Sequence, residues 1–129
     1  MDMVTEGEAV PLGKLDDFLL DRVDFIKLDV EGFESQVLEG AAETIERCRP
    51  VMYVENDREE KSAELIQRLF DMGYRLWWHT PPLFASDNFK GNKENVFPRI
   101  VSVNMLAIHQ DMKPITGLKP ILTAGDTWL

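Results

Sequence analysis

An α/β fold built on a parallel sheet is what this sequence predicts, and three observations predict it. Two short apolar runs, Phe25-Ile26-Lys27-Leu28-Asp29 and Val51-Met52-Tyr53-Val54-Glu55, each end in carboxylates. A stretch with helical spacing, long enough for a crossover, lies between them. A second helical stretch then leads to a third apolar run that starts at Tyr74. Strands joined by such crossovers are parallel and right-handed, and open sheets of this kind bind ligands outside the carboxyl ends of their strands.

Each element has its own signal. Residues 4–12 are polar and extended in character, closing with Pro11 and Gly13. Leu15, Phe18, Leu19 and Val23 fit a helix of about two turns, with Asp16 and Asp17 favourable in its first turn. Residues 23–29 form the first strand, whose near-continuous apolar character suits burial on both faces. Gly32 breaks it. From 33 to 47, Val37, Leu38, Ala41, Ala42 and Ile45 recur at helical spacing, while Glu34, Glu39, Glu43 and Glu46 make a solvated face opposite.

Pro50 stops that helix, and residues 51–54 begin the second strand. Asn56 or Asp57 caps the next helix, with Ala63, Ile66, Leu69, Phe70 and Met72 toward the core and Gly73 as its left-handed terminus. Residues 74–80 are the third strand, ended by Pro81-Pro82. A connection rich in Pro, Asn, Gly and Lys spans 81–98 and hangs over the acidic edge as a lid. Residues 100–109 are the fourth strand, with Val101, Val103, Met105 and Ala107 on one face. No helix separates it from the third, so those two pair antiparallel. The tail 111–129 repeats only the tripeptide Lys-Pro-Ile and is expected to be partly disordered.

Composition narrows the function classes. A chain of 129 residues, 44% hydrophobic, supports a single domain. A formal net charge of -9 argues against a nucleic-acid backbone or an anionic membrane as partner. There is no spanning-length apolar run, and the single Cys48 excludes an internal disulfide, so a cytoplasmic setting is expected. Cys48 has no histidine near it in sequence and reads as an inert thiol.

The run Phe25-Ile26-Lys27-Leu28-Asp29-Val30-Glu31-Gly32-Phe33-Glu34, then Val37-Leu38-Glu39-Gly40-Ala41, then Arg49-Pro50-Val51-Met52-Tyr53-Val54-Glu55, resembles the second half of an FkbM-family methyltransferase domain. Leu15-Asp16-Asp17-Phe18-Leu19 upstream and Gly73-Tyr74 downstream fit the same resemblance, which covers roughly residues 10–109. It implies a class I, Rossmann-like fold with sheet order 3-2-1-4-5-7-6, helices on both faces, and S-adenosylmethionine-dependent methyl transfer to a hydroxyl of a sugar or metabolite. This chain would supply strands 4, 5, 6 and 7: three parallel and one antiparallel.

One departure matters. None of the eight glycines forms a close pair after an apolar strand, so the glycine-rich turn that receives the methionine part of the cofactor has no counterpart. The chain therefore reads as a partial domain, expected to bind S-adenosylmethionine weakly and to lack transfer activity alone.

The candidate catalytic residues are Asp29, Glu31 and Glu55, all at strand ends. Asp29 either orients a hydroxyl or the cofactor, or caps the following helix. Glu31 is a base or a complement to a helix dipole. Lys27 pairs with Asp29 or Glu55, since a buried ammonium needs an anion. His79 is the histidine at the working edge, whereas His109 has no motif around it. Asn88, Asn92 and Asn95 either bind a polyhydroxylated substrate or serve turns. Of Trp77 and Trp78, one belongs to the core and the other walls the pocket.

The resemblance requires no metal. Two alternatives stand beside methyl transfer: a metal-dependent hydrolase or phosphotransferase using Asp29, Glu31, Glu55 and Asp57, and a non-catalytic α/β assembly module. The expected partner is a small-molecule or carbohydrate acceptor. A homodimer through the open edge of strand 23–29 is also expected, with residues 1–12 folding back as the competing way to cover that edge.

Overall fold

The computed structural model describes residues 7–129. A 3₁₀ turn at Leu15–Phe18 precedes strand β1 (Phe25–Leu28), helices α1 (Glu34–Glu39) and α2 (Ala42–Cys48), and strand β2 (Val51–Glu55). Helix α3 (Glu59–Asp71) leads to β3 (Tyr74–His79), then β4 (Asn104–His109) and β5 (Lys119–Ile121). The strands form one mixed sheet in the order β1-β2-β4-β3-β5.

The expected sheet holds in part. β1 and β2 pair in parallel, and β3 and β4 pair antiparallel. β3 runs in the direction of β2 but is not its neighbour, because β4 lies between them and is antiparallel to both. A crossover fixes strand direction but not adjacency. β4 takes the central place because Met105 and Ala107 are fully buried there, and Ile108 nearly so.

In-register residues share a face. Ile26, Met52, Ala107, Leu76 and Ile121 form one row; Leu28, Val54, Met105 and Trp78 form the next on the same face. Leu38 of α1, Ile45 of α2, and Leu65, Ile66 and Leu69 of α3 join these rows in one hydrophobic cluster. Helices on both faces were expected; among the described residues, all three helices pack on this one. The opposite face carries Lys27, Tyr53, Leu106 and Trp77 in one row. Consequently β1 is not buried on both faces: Phe25 is 57% exposed, and burial alternates along the strand. Both tryptophans are buried, Trp78 in the main cluster and Trp77 on the opposite face.

Several local expectations shift for identifiable reasons. The helix at 33–47 is two helices. Asp16 reaches over from the 3₁₀ turn and accepts hydrogen bonds from Glu43 N (3.1 Å), Thr44 N (2.9 Å) and Thr44 Oγ1 (2.7 Å). Its own amide donates to the Gly40 carbonyl at 3.0 Å. That carboxylate satisfies the free N–H groups at the start of α2, so a helix begins where the periodicity reads continuous. The two-turn helix expected at residues 15–23 is reduced to the 3₁₀ turn, ended by Leu19 at φ 48.

α3 starts without a side-chain cap. Asn56 is buried, and its amide donates to Ser62 Oγ at 2.9 Å, while Asp57 lies beside Arg58. Ser62 and Leu65 are buried where Ala63 was expected. Gly73 does adopt the left-handed conformation, φ 87. The fourth strand begins later than expected, and the tail contributes β5 plus Trp128, whose ring packs edge-on against Trp78 at 5.7 Å.

Candidate functional site

The acidic edge lies at the carboxyl ends of β1 and β2. Asp29, Glu31 and Glu55 each bring a carboxylate oxygen to within 4.8 Å of the others. Asp29 does not cap α1; its Oδ2 accepts from Lys27 Nζ at 2.7 Å, one of the two pairings open to Lys27. Glu31 sits in a left-handed conformation, φ 55, and accepts from Arg58 Nη2 at 2.8 Å. Glu55 Oε2 is buried and has no hydrogen-bond partner.

Electrostatics separates the two central carboxyls. Burial pushes Glu55 up to about 7, with Asp29, Asp57 and Glu31 adding repulsion. Asp29 is held below the usual carboxylate range, first by the Lys27 ammonium and then by Glu55. Two carboxyls this close retain a proton between them more readily than either would alone. Protonated Glu55 donates toward Asp29; deprotonated, it is an unpartnered acceptor beside a fixed ammonium. Such a group exchanges protons near neutral pH.

The site continues across the sheet. Glu55, Asn104 and His79 are in register on one face, with Tyr53 in the adjacent row. Tyr53 Oη and His79 Nδ1 are 2.7 Å apart, and burial raises the Tyr53 phenol while Lys27 opposes the rise. His79 is thus brought to the same face as Glu55 through β4.

The asparagines hydrogen-bond within their own segment. Asn88 Nδ2 donates to the Ala85 and Asn92 carbonyls, Asn92 Oδ1 accepts from Glu94 N, and Asn95 Oδ1 accepts from Phe97 N. These are turn contacts. The segment closes on itself: Leu83 N donates to Ile100 O, Ser102 N donates to Pro81 O, and its cleft of about 380 Å³ is lined by its own residues. His109 is buried against Tyr74, with its Nδ1 accepting from Asp111 N.

Sequence reasoning missed Glu34, taken for a solvated residue. It is 6% exposed, and its Oε1 accepts from Val30 N (3.1 Å) and Gly32 N (3.2 Å). Lys61 Nζ donates to the Gly32 carbonyl at 2.8 Å. A glutamate two residues after a glycine at a strand end was the available signal, since such a turn leaves free N–H groups. Tyr53 was also missed. Its alternation with Met52 and Val54 places it on the face opposite the helices.

Among the described residues, no helix is long and apolar enough to cross a membrane. The chain matches no curated protein and no solved structure. A family model described as the Methyltransferase FkbM domain matches residues 2–76, more than half of the 129-residue chain. That match includes the Asp29–Glu34 turn and Glu55, whereas His79 and the asparagine-rich segment lie beyond it. The chain therefore belongs to the FkbM methyltransferase domain family.

Proposed function

We propose that this chain forms the acceptor-facing part of an S-adenosylmethionine-dependent methyltransferase that methylates a hydroxyl of a sugar or small metabolite, with Glu55 as the group that takes the hydroxyl proton. Family membership supplies methyl transfer. The observation that carries the base assignment is the buried, unpartnered Oε2 of Glu55, about 7 in pKa, beside the Lys27–Asp29 pair. The sequence of strands β1-β2-β4-β3 supports a Rossmann-like reading, as the 4-5-7-6 part of a class I sheet.

The cofactor fits this chain only in part. Carboxylate oxygens at strand ends suit an ammonium or a hydroxyl. A methionine carboxylate, however, needs free backbone N–H groups; the glycine-rich turn that would supply them has no counterpart in the sequence, and the turn after β1, in the strand-4 place, has its Val30 and Gly32 amides already taken by Glu34. This chain's own residues hold the acceptor side.

The chemistry that follows is proton handling. An acceptor hydroxyl at the Glu55–Asp29 edge donates to Glu55, whose pKa near neutrality lets it accept the proton as negative charge grows on the oxygen. Lys27 keeps Asp29 ionised, so Asp29 orients the hydroxyl without competing for its proton. Tyr53 and His79, on the same face, supply further hydrogen bonds to a polyhydroxylated acceptor.

Titration of the isotope-labelled chain with small glycosides and polyols, followed by NMR, tests this. Shifts are expected at Lys27, Asp29, Glu55 and His79, with Glu55→Gln weakening binding roughly tenfold, as for one lost charge-assisted hydrogen bond. Any methyl transfer at millimolar S-adenosylmethionine should rise with pH through about 7 and vanish in Glu55→Gln. Acceptor shifts confined elsewhere, or a Glu55→Gln chain that binds and reacts as the parent does, would refute the assignment.

A further inference from the structure

We propose that Glu34 is a positioning residue, whose buried carboxylate fixes the turn that holds Asp29 and Glu31 against Glu55. The inference rests on reading the acidic edge as the working site, but its evidence is the architecture of the turn.

Three carboxylates with oxygens within 4.8 Å of one another repel whenever they are ionised together, so the backbone carrying two of them must be held in place. The turn itself is not a relaxed one. Glu31 and Gly32 are consecutive left-handed residues, φ 55 and φ 95, and a glutamate rarely adopts that conformation. Left free, this segment would extend and carry Asp29 and Glu31 away from Glu55.

The restraint comes from inside. Glu34 is 6% exposed, and its Oε1 accepts from the amides on both sides of Glu31, those of Val30 and Gly32. That one oxygen bridges the two N–H groups that the left-handed turn points inward. Lys61 of α3 holds the Gly32 carbonyl, and Arg58, just before that helix, holds the Glu31 carboxylate. An ideal Cβ on Gly32 would stand 3.2 Å from Lys61 Nζ, so the turn lies tight against α3. Glu34 touches no reacting group; it acts through the turn.

The groups that face Glu55 are Lys27, Asp29 and Glu31 from β1 and its turn, Asp57 beyond its own strand, and Asn104 and His79 in register across β4 and β3. Releasing the turn moves only Asp29 and Glu31 among them. The titration of Glu55 therefore reports their position.

The experiment uses the whole chain and no ligand. Carboxyl ¹³C titration gives the Glu55 midpoint, and amide hydrogen exchange reports Val30 and Gly32, in the parent, Glu34→Ala and Glu34→Gln. In Glu34→Ala the Val30 and Gly32 amides should lose protection, and the Glu55 midpoint should fall by roughly 0.5 in pH as the two anions move off. Glu34→Gln keeps an oxygen that accepts both N–H groups and should restore both readouts. Should Glu34→Ala fail to fold, Lys61→Met removes the Gly32 carbonyl contact alone and should shift the midpoint in the same direction. An unchanged Glu55 midpoint in a folded Glu34→Ala or Lys61→Met chain, with only melting temperature lowered, overturns the proposal, as does a Glu34→Gln chain that behaves like Glu34→Ala. No acceptor enters these measurements, so a failure of the methyl-transfer reading leaves them interpretable.

Discussion

Asp16 offers the sharpest test of how this fold is held, because one carboxylate joins two segments far apart in sequence. Asp16→Ala removes the acceptor for Glu43 N, Thr44 N and Thr44 Oγ1. Loss of an N-terminal helix cap costs about 1 kcal/mol. Thr44 is 2% exposed, so its hydroxyl and amide have no water to turn to, and stranding them adds about 1–3 kcal/mol. The expected loss is about 3 kcal/mol, or roughly 10 °C in melting temperature for a chain of this size. Asp16→Asn keeps one capping oxygen and should cost less than about 1 kcal/mol. Urea unfolding read by circular dichroism measures both, the midpoint falling while the slope is unchanged.

The pH dependence gives an independent arm. Burial raises the Asp16 carboxyl, but the hydrogen bonds from Thr44 and Glu43 outweigh it and hold the group below its ordinary 3.8. A carboxylate lowered in the folded state stabilises above its ordinary value and loses that contribution as pH falls through the folded one. The gap between parent and Asp16→Ala should therefore persist at neutral pH and shrink in acid below about pH 4. An Asp16→Ala chain within about 0.5 kcal/mol of the parent, the spread of ordinary surface substitutions, would refute this account of why two helices replace one.

Three further outcomes are expected. Glu55 is raised in the folded state, so its contribution is complete at low pH and is lost as pH rises from its ordinary 4.5 to about 7; stability should decline across that window in the parent and stay flatter in Glu55→Gln, by thermal melts in a pH series. Calorimetry should give a dissociation constant for S-adenosylmethionine weaker than micromolar, since the sequence has no counterpart of the glycine-rich turn that receives the methionine part; tighter binding would show another cradle. β1 is an outer strand with one edge unpaired among the described residues, and residues 7–12 do not ladder with it. Light scattering should show concentration-dependent self-association that Phe25→Lys weakens, and a strict monomer at high concentration would exclude the edge as a contact.

What the sequence by itself determined is local. The short apolar runs at Val51–Glu55 and Tyr74–His79 made strands, the periodicity after Asp57 made α3, and Gly73 ended it in the left-handed conformation only glycine adopts easily. The carboxylates at two strand ends were legible, and so was the Lys27–Asp29 pair, because residues two apart on a strand share a face. The tertiary structure decided whatever depends on a distant partner. Only the fold shows that Asp16 caps a helix that starts 26 residues later, at Ala42, and that Asn56 turns inward to Ser62 and Met105 instead of capping α3. It also decides that Glu34 faces the turn amides instead of solvent. Periodicity reports how a residue relates to its own segment. Burial of a charge is settled by whether another segment brings donors to it, and that information is spread over the whole chain.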